Sequence, residues 1–102
     1  MIVHMVLLRI RRNVLTKDVE RVFTEIGGLQ QKIPGITGYS WGAYASPEGL
    51  NRGFTHGFCM TFVDARARDA YLPHPEHEKV KANVFGVLEG GLEGVIAFDY
   101  VV

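Results

Sequence analysis

The chain has 102 residues, 47% of them hydrophobic and 22% charged, so we expect one domain with a single modest core. Its formal net charge is +0, and it contains no basic run and no apolar run of membrane-spanning length. These features argue against a nucleic-acid partner and against a membrane partner. The single cysteine, Cys59, cannot form an internal disulfide, and the N-terminal residues lack signal-peptide features, so a cytoplasmic location is expected.

The first half of the chain predicts a strand, a helix and two more strands. Residues 2–10 alternate with apolar side chains on both faces, which indicates a strand that is covered on both sides. Apolar residues at helical spacing predict a helix over residues 16–32, with Thr16 as its N-cap. Strands over residues 36–46 and 54–63 follow, joined by a polar loop.

Two glycines, Gly27 and Gly28, interrupt the first predicted helix. Each costs about 1 kcal/mol of helix stability relative to alanine. Close packing or a kink would explain them structurally. The functional alternative is that they make room for a ligand.

The second half of the chain predicts two helices and a final strand. Asp64 is a good N-cap for a short helix over residues 65–72. Pro75 suits the first position of another helix because its missing N–H would have no partner there. Gly90-Gly91 is expected to end that helix, and residues 95–100 form the last strand.

The predicted order is strand, helix, strand, strand, helix, strand. This order is typical of an α+β ferredoxin-like split βαβ subunit (βαββαβ), with an antiparallel four-stranded sheet and helices on one face. The other face would then be open and largely apolar, which predicts a homodimer whose sheets pack face to face or close into a dimeric α/β barrel. The residues expected on that face are Val3, Met5, Leu7, Thr55, Cys59 and Thr61.

Several short motifs, in this order and spacing, are similar to those of the stress-responsive dimeric α/β-barrel family. The resemblance covers the chain as one domain, residues 1–102, and implies a homodimer with a shared barrel. The motifs are His4 in an apolar strand, Pro34-Gly35, Trp41-Gly42, Thr55-His56, Tyr71-x-x-His74-Pro75-x-His77 and Phe98-Asp99-Tyr100.

The resemblance also implies a site. In one plant polyketide cyclase of that family, a histidine acts as the base of an aldol cyclisation and a tyrosine assists it. The matching positions here are His77 and Tyr71 as catalytic residues, with His4 and His56 as substrate-binding residues. The implied ligand is a small apolar carbonyl compound held in a pocket of each subunit, and the implied chemistry resembles that of an aldol cyclase or an isomerase. No cofactor is expected.

Physical chemistry supports these roles. His4 and His56 fall on the same face of two strands expected to be neighbours. His77 falls near the third position of a helix, where unpaired N–H groups disfavour the charged imidazolium, and a neutral imidazole is what a general base requires. Tyr71 could orient His77 or donate to a developing oxyanion.

Structural explanations compete with the catalytic one. His74 is well placed as an N-cap, and His4 and His56 could simply be hydrogen-bonded core histidines. A metal site is disfavoured because the His-x-x-His pair straddles a helix start with a proline inside it. Two alternatives to the catalytic hypothesis stay open. The chain could be a non-enzymatic homodimeric stress or structural protein, or a cofactor-free monooxygenase-like barrel.

Overall fold

The computed structural model describes residues 1–102 as one antiparallel sheet with helices packed on one of its faces. The sheet order is β2-β3-β1-β4, so the first and third strands lie in the middle and the predicted βαββαβ topology is confirmed. Short 3-10 turns follow α1 and precede β4. The elements are β1 (Ile2–Leu8), α1 (Thr16–Gly28), β2 (Ile36–Ala43), β3 (His56–Phe62), α2 (Ala65–Tyr71), α3 (Pro75–Phe85) and β4 (Val95–Val101).

The core lies between the helices and one face of the sheet. The helical spacing of apolar residues in α1 places one stripe of that helix against β1 and β3. Fully burying each such side chain stabilises the fold by about 1.5–3 kcal/mol. The buried residues of α1 are Val19, Val22, Phe23 and Ile26, and the central strands contribute Ile2, Val6, Leu8, Met60 and Phe62.

The first helix begins differently from the prediction. The N-cap is Leu15, and Thr16 is the first helical residue, with no side-chain cap. Leu15 has an extended backbone, and its carbonyl already accepts hydrogen bonds from the N–H groups of Asp18 and Val19. The predicted cap at Thr16 was therefore wrong by one residue. The predicted cap at Asp64 is confirmed, because its carboxylate accepts a hydrogen bond from the Ala67 N–H at 2.9 Å.

The last helix is shorter than predicted. It ends at Phe85, five residues before Gly90-Gly91. The following segment leaves the helix because it pairs with the chain just after β1: Leu88 bridges Ile10, and the Glu89 N–H donates to the Arg9 carbonyl at 2.8 Å. A tertiary pairing that sequence periodicity does not reveal therefore ends the helix.

The face of the sheet without helices, called the open face below, is apolar on its β1 and β4 side. Met5 and Leu7 are 39% and 40% exposed, as expected for this face. Thr55 was also expected there, but it precedes β3, and its hydroxyl accepts a hydrogen bond from the Ile10 N–H at 3.0 Å. The β4 side chains exposed on this face are Ile96, Phe98 and Tyr100.

The two glycines of α1 have different surroundings. A Cβ at Gly27 would lie 2.8 Å from the Tyr39 ring, whereas one at Gly28 would meet nothing within 4 Å. The Tyr39 ring is held in place because its hydroxyl donates to the Phe23 carbonyl at 2.7 Å. Close packing therefore explains Gly27, and the space beside it is filled by a side chain and leaves no room for a ligand.

This contrast yields a paired prediction. Gly27→Ala should lower the free energy of unfolding by about 1–2 kcal/mol, because overpacking against a fixed ring outweighs the gain in helix propensity. Gly28→Ala should raise it by about 0.5–1 kcal/mol, because the new methyl group has space and the unfolded chain loses freedom. Urea denaturation of both variants measures the difference. Equal effects would show that the Tyr39 contact does not constrain this position.

Candidate functional site

The corner between α2 and α3 positions the candidate site. His74 is the N-cap of α3, and its Nδ1 accepts a hydrogen bond from the Glu76 N–H at 3.1 Å. The backbone N–H of His74 donates to the Tyr71 carbonyl at 3.0 Å, and Pro75 occupies the first helical position. His74 therefore has the helix-starting role that the sequence predicts, and the corner places its two neighbours, Tyr71 and His77, on the inner side of the helices.

His77 has a defined tautomer. Its Nδ1 lies 2.9 Å from the Leu72 carbonyl oxygen, and a carbonyl can only accept, so Nδ1 carries the proton. Nε2 makes no hydrogen bond within the chain and presents a lone pair. Burial lowers the pKa of His77 and the charge of Lys81 lowers it further, outweighing the opposite effect of the Leu72 hydrogen bond. The lowered pKa keeps the ring neutral at pH 7, as expected, and burial is its largest cause.

Tyr71 packs against this imidazole. The Tyr71 and His77 rings are stacked, with centroids 4.1 Å apart and planes inclined by 27°. The Tyr71 hydroxyl makes no hydrogen bond within the chain, and no fully buried polar side-chain atom lacks a partner, so the hydroxyl reaches the adjoining cavity. Burial raises the pKa of Tyr71, so the hydroxyl remains a proton donor at neutral pH.

His4 belongs to a chain of hydrogen-bonded side chains that links β1, β4 and α2. Its Nδ1 lies 2.6 Å from Oδ1 of Asp99, whose Oδ2 lies 2.7 Å from Nη1 of Arg68. Partial burial alone would raise the pKa of Asp99, but the hydrogen bonds from His4 and Arg68 hold it below its ordinary value. The ring of His4 also meets three aromatic rings nearly edge-on, with centroids 6.1 Å away: Phe58, Phe62 and Tyr71.

Sequence reasoning assigned no role to Asp99 or Arg68. A weak signal exists, because Asp99 is the one charged residue in the final strand. Its contact with His4 depends on the antiparallel register of β1 and β4, which pairs the two residues directly. Alternation determines which face each residue occupies, but β1 and β4 are not joined by a hairpin, so no turn fixes which residues pair.

These groups meet at one cavity of about 260 Å³, called the histidine cavity below. Twelve of its fifteen lining residues are hydrophobic. Its polar lining residues are His4, His77, Tyr71 and Lys81, and the ammonium group of Lys81 pairs with Glu78 at 2.9 Å. The volume lies just below the 300–1,000 Å³ typical of sites for drug-sized ligands, so the cavity suits a small, mostly apolar molecule. The apolar walls include Val6, Ile26, Phe58, Val80, Val84 and Leu92.

His56 does not line the histidine cavity. It is paired with Leu8, whereas His4 is paired with Met60, so the two histidines are four residues apart along neighbouring strands. At the usual rise per residue this is about 13 Å. The structure therefore brings together His4, Tyr71 and His77 and leaves His56 at the other end of the sheet.

The structure adds two observations on metals and membranes. No group of three or more histidine, cysteine, aspartate or glutamate side chains is arranged to hold a metal ion. None of the helices combines the length and apolar character needed to span a bilayer.

Comparison with known proteins identifies the family. The model of the stress responsive A/B barrel domain, Dabb, matches residues 2–102. The chain belongs to this family. A stress-response A/B barrel domain-containing protein of Arabidopsis thaliana, At5g22580, is 29% identical over 87 residues, which cover 84% of this chain and 76% of the relative.

Solved structures of similar proteins share the Dabb fold. A dimeric ferredoxin-like protein of unknown function from Jannaschia sp. CCS1 is 26% identical, covers 99% of this chain and 98% of its own, and superposes with a TM-score of 0.88. The hydroxynitrile lyase of Passiflora edulis is 21% identical, with coverage of 99% and 92% and a TM-score of 0.83. At that identity the likeness is one of fold alone.

The Asp99 carboxylate, which lies between His4 and Arg68, allows a matched test of this hydrogen-bonded chain. Asp99→Asn should lower the free energy of unfolding by about 1.5–3 kcal/mol, because it weakens two charge-assisted hydrogen bonds in a partly buried setting. Asp69 also contacts Arg68, at 2.8 Å, but its side chain is 67% exposed, so Asp69→Asn should cost less than about 1 kcal/mol. Urea denaturation measures the free energy of unfolding of both variants. An equal decrease in the two would contradict the role assigned to Asp99.

Proposed function

We propose that this Dabb protein binds a small apolar carbonyl compound in the histidine cavity and catalyses proton transfer next to the carbonyl group. The observation that carries the proposal is the pairing of a neutral imidazole, with its Nε2 lone pair free, and a buried hydroxyl free to donate. Both line the same cavity. A general base and an oxyanion donor are the two groups that enolisation requires.

The proposed step breaks a C–H bond adjacent to the carbonyl. Nε2 of His77 takes the proton, and the electron pair of the C–H bond moves onto the carbonyl oxygen, giving an enolate. The Tyr71 hydroxyl donates a hydrogen bond to that oxygen. If a C=C bond is conjugated with the enolate, the imidazolium returns its proton to the far carbon of that system, which completes an isomerisation. Alternatively, the enolate carbon attacks a second carbonyl group, and the imidazolium protonates the resulting alkoxide, which completes an aldol addition.

The geometry favours one of the two roles open to Tyr71. His77 is already oriented by the Leu72 carbonyl and by ring stacking, so the tyrosine hydroxyl is not needed to orient it. Donation to the oxyanion therefore suits Tyr71 better. His4 would contact the ligand through its Nε2, because its Nδ1 is engaged by Asp99.

The apolar walls support the proposed ligand class. Apart from the site imidazoles and hydroxyl, Lys81 is the one polar lining group, and its Nζ pairs with Glu78 at 2.9 Å. An apolar body would be desolvated by these walls, while a single carbonyl group would meet the polar groups. In a site that excludes water, those hydrogen bonds to the enolate oxygen stabilise it more than they would in bulk water.

The direct test is α-proton exchange in D₂O, followed by NMR over a panel of small aryl ketones and β-diketones. The wild-type protein should catalyse exchange of at least one compound. His77→Asn retains a side-chain N–H for the Leu72 carbonyl and removes the base, so exchange should fall about 10²–10⁴-fold. Tyr71→Phe removes only the hydroxyl and should cost about 10²–10³-fold.

The matched control is His74→Asn, because asparagine is also a good N-cap and this histidine does not line the cavity. This variant should catalyse α-proton exchange at the wild-type rate. Undiminished exchange in His77→Asn would contradict the proposal. Ligand-induced stabilisation without exchange would instead support a binding protein, and a large loss of thermal stability in His77→Asn would support a purely structural role.

We also propose that the chain forms a homodimer through its open face. This face exposes contiguous apolar side chains, among them Met5 and Phe98, which are paired across β1 and β4. Such a patch is characteristic of an interface. A symmetric pairing of two such faces would bury it and leave the helix-side cavity of each subunit accessible.

The dimer proposal predicts the effect of one charge. Phe98→Glu should yield a monomer, because an unpartnered carboxylate in a buried apolar interface costs about 3–5 kcal/mol per copy. Leu15→Glu changes a similarly exposed apolar residue (59% against 64%) at the start of α1 and should remain dimeric. Light scattering at micromolar concentration measures both. A monomeric wild-type protein, or a dimeric Phe98→Glu variant, would contradict the proposal.

A further inference from the structure

A second cleft, separate from the histidine cavity, surrounds the histidine that the proposed reaction does not use. It has a volume of about 480 Å³. It lies where the end of β2 and the start of β3 meet the start of α1. We call it the tryptophan cleft. Its lining residues include Arg11, Arg12, Glu20, Trp41, Thr55 and His56.

The floor of the tryptophan cleft is an aromatic platform. Trp41 stacks on Phe23 with ring centroids 4.5 Å apart and planes inclined by 3°. Phe23 is fully buried, which fixes one side of the indole, while Trp41 itself is 38% exposed. A rigid, partly exposed indole offers apolar area and a π-face to a planar ligand at little entropic cost.

His56 supplies a polar group with a fixed position. Its Nδ1 lies 2.8 Å from the Thr55 hydroxyl, which is itself bonded to the N–H of Ile10. The His56 ring also stacks on Phe23, with centroids 5.8 Å apart. Nε2 makes no hydrogen bond within the chain, so a ligand can hydrogen-bond to it without breaking an existing contact.

The charges around the tryptophan cleft favour an anion. Two arginines, Arg11 and Arg12, line the cleft against one acidic residue, Glu20. Nη1 of Arg11 also donates to the Leu88 carbonyl at 3.4 Å, whereas Arg12 makes no hydrogen bond within the chain. Neither arginine takes part in an ion pair within the chain, and nor does Glu20. Guanidinium groups bind carboxylates well because their N–H donors match both oxygens.

We infer that the tryptophan cleft binds a planar aromatic acid that carries a polar ring substituent. Its ring would lie on Trp41, its carboxylate would face the arginines, and its polar substituent would reach Nε2 of His56. This site is independent of the proposed proton transfer, since His56 and His4 are about 13 Å apart along the strands.

The chain's single tryptophan makes the test specific, because one indole N–H signal reports on this cleft. The probe is 4-hydroxybenzoate, titrated into the ¹⁵N-labelled full-length protein. The indole signal of Trp41 should shift saturably. Cyclohexanecarboxylate, which has the charge but no aromatic ring, should leave it in place.

Two variants test the contacts assigned to the ligand, and a third tests whether the tryptophan cleft is independent of the histidine cavity. Arg12→Gln should weaken binding about twofold to fivefold, as expected for an exposed charge pair. His56→Phe keeps a stacked ring but removes Nε2, and should weaken binding about twofold to tenfold. His77→Asn should bind 4-hydroxybenzoate like the wild type. An unmoved indole signal, an equal shift with cyclohexanecarboxylate, or unchanged affinity in both cleft variants would overturn the inference.

Discussion

The candidate site depends on one hydrogen bond, between Nδ1 of His77 and the carbonyl of Leu72. Because a carbonyl only accepts, this bond places the imidazole proton on Nδ1 and leaves the Nε2 lone pair free. Burial keeps the ring neutral. The bond exists because the α2–α3 corner turns through His74 and Pro75, which brings the end of one helix beside the start of the next. Residues close together in the chain thus position the His77 imidazole as a general base.

A second constraint is that helices cover only one face of the sheet. The helix side supplies apolar walls, so its cavity can exclude water around the few polar groups within it. The uncovered face has no partner within the chain and is apolar on its β1 and β4 side, so an interface can form there without disturbing the cavity. In the proposed dimer, catalysis and assembly therefore occupy opposite faces of one sheet.

Much of the fold could be predicted from the sequence, because the spacing of apolar residues directly indicates strands and helices. The same holds for Asp64 and His74 as helix caps, since capping involves neighbouring residues. The rest depended on register and tertiary pairing. These place Asp99 against His4, carry His56 away from the other site residues and end the last helix at Phe85. Period-two and helical patterns carry no information on any of these.

The most direct measurement of the central claim is ¹⁵N NMR of the histidine side chains as a function of pH. Above pH 7, His77 should show a protonated Nδ1 and an unprotonated Nε2. The Nδ1 of His74, which accepts a hydrogen bond from the Glu76 N–H, should instead carry no proton. The His77 pKa should lie below 6.5, because the ring becomes charged less readily in the folded chain than in the unfolded one. A His77 proton on Nε2, or a pKa above 6.5, would contradict the account.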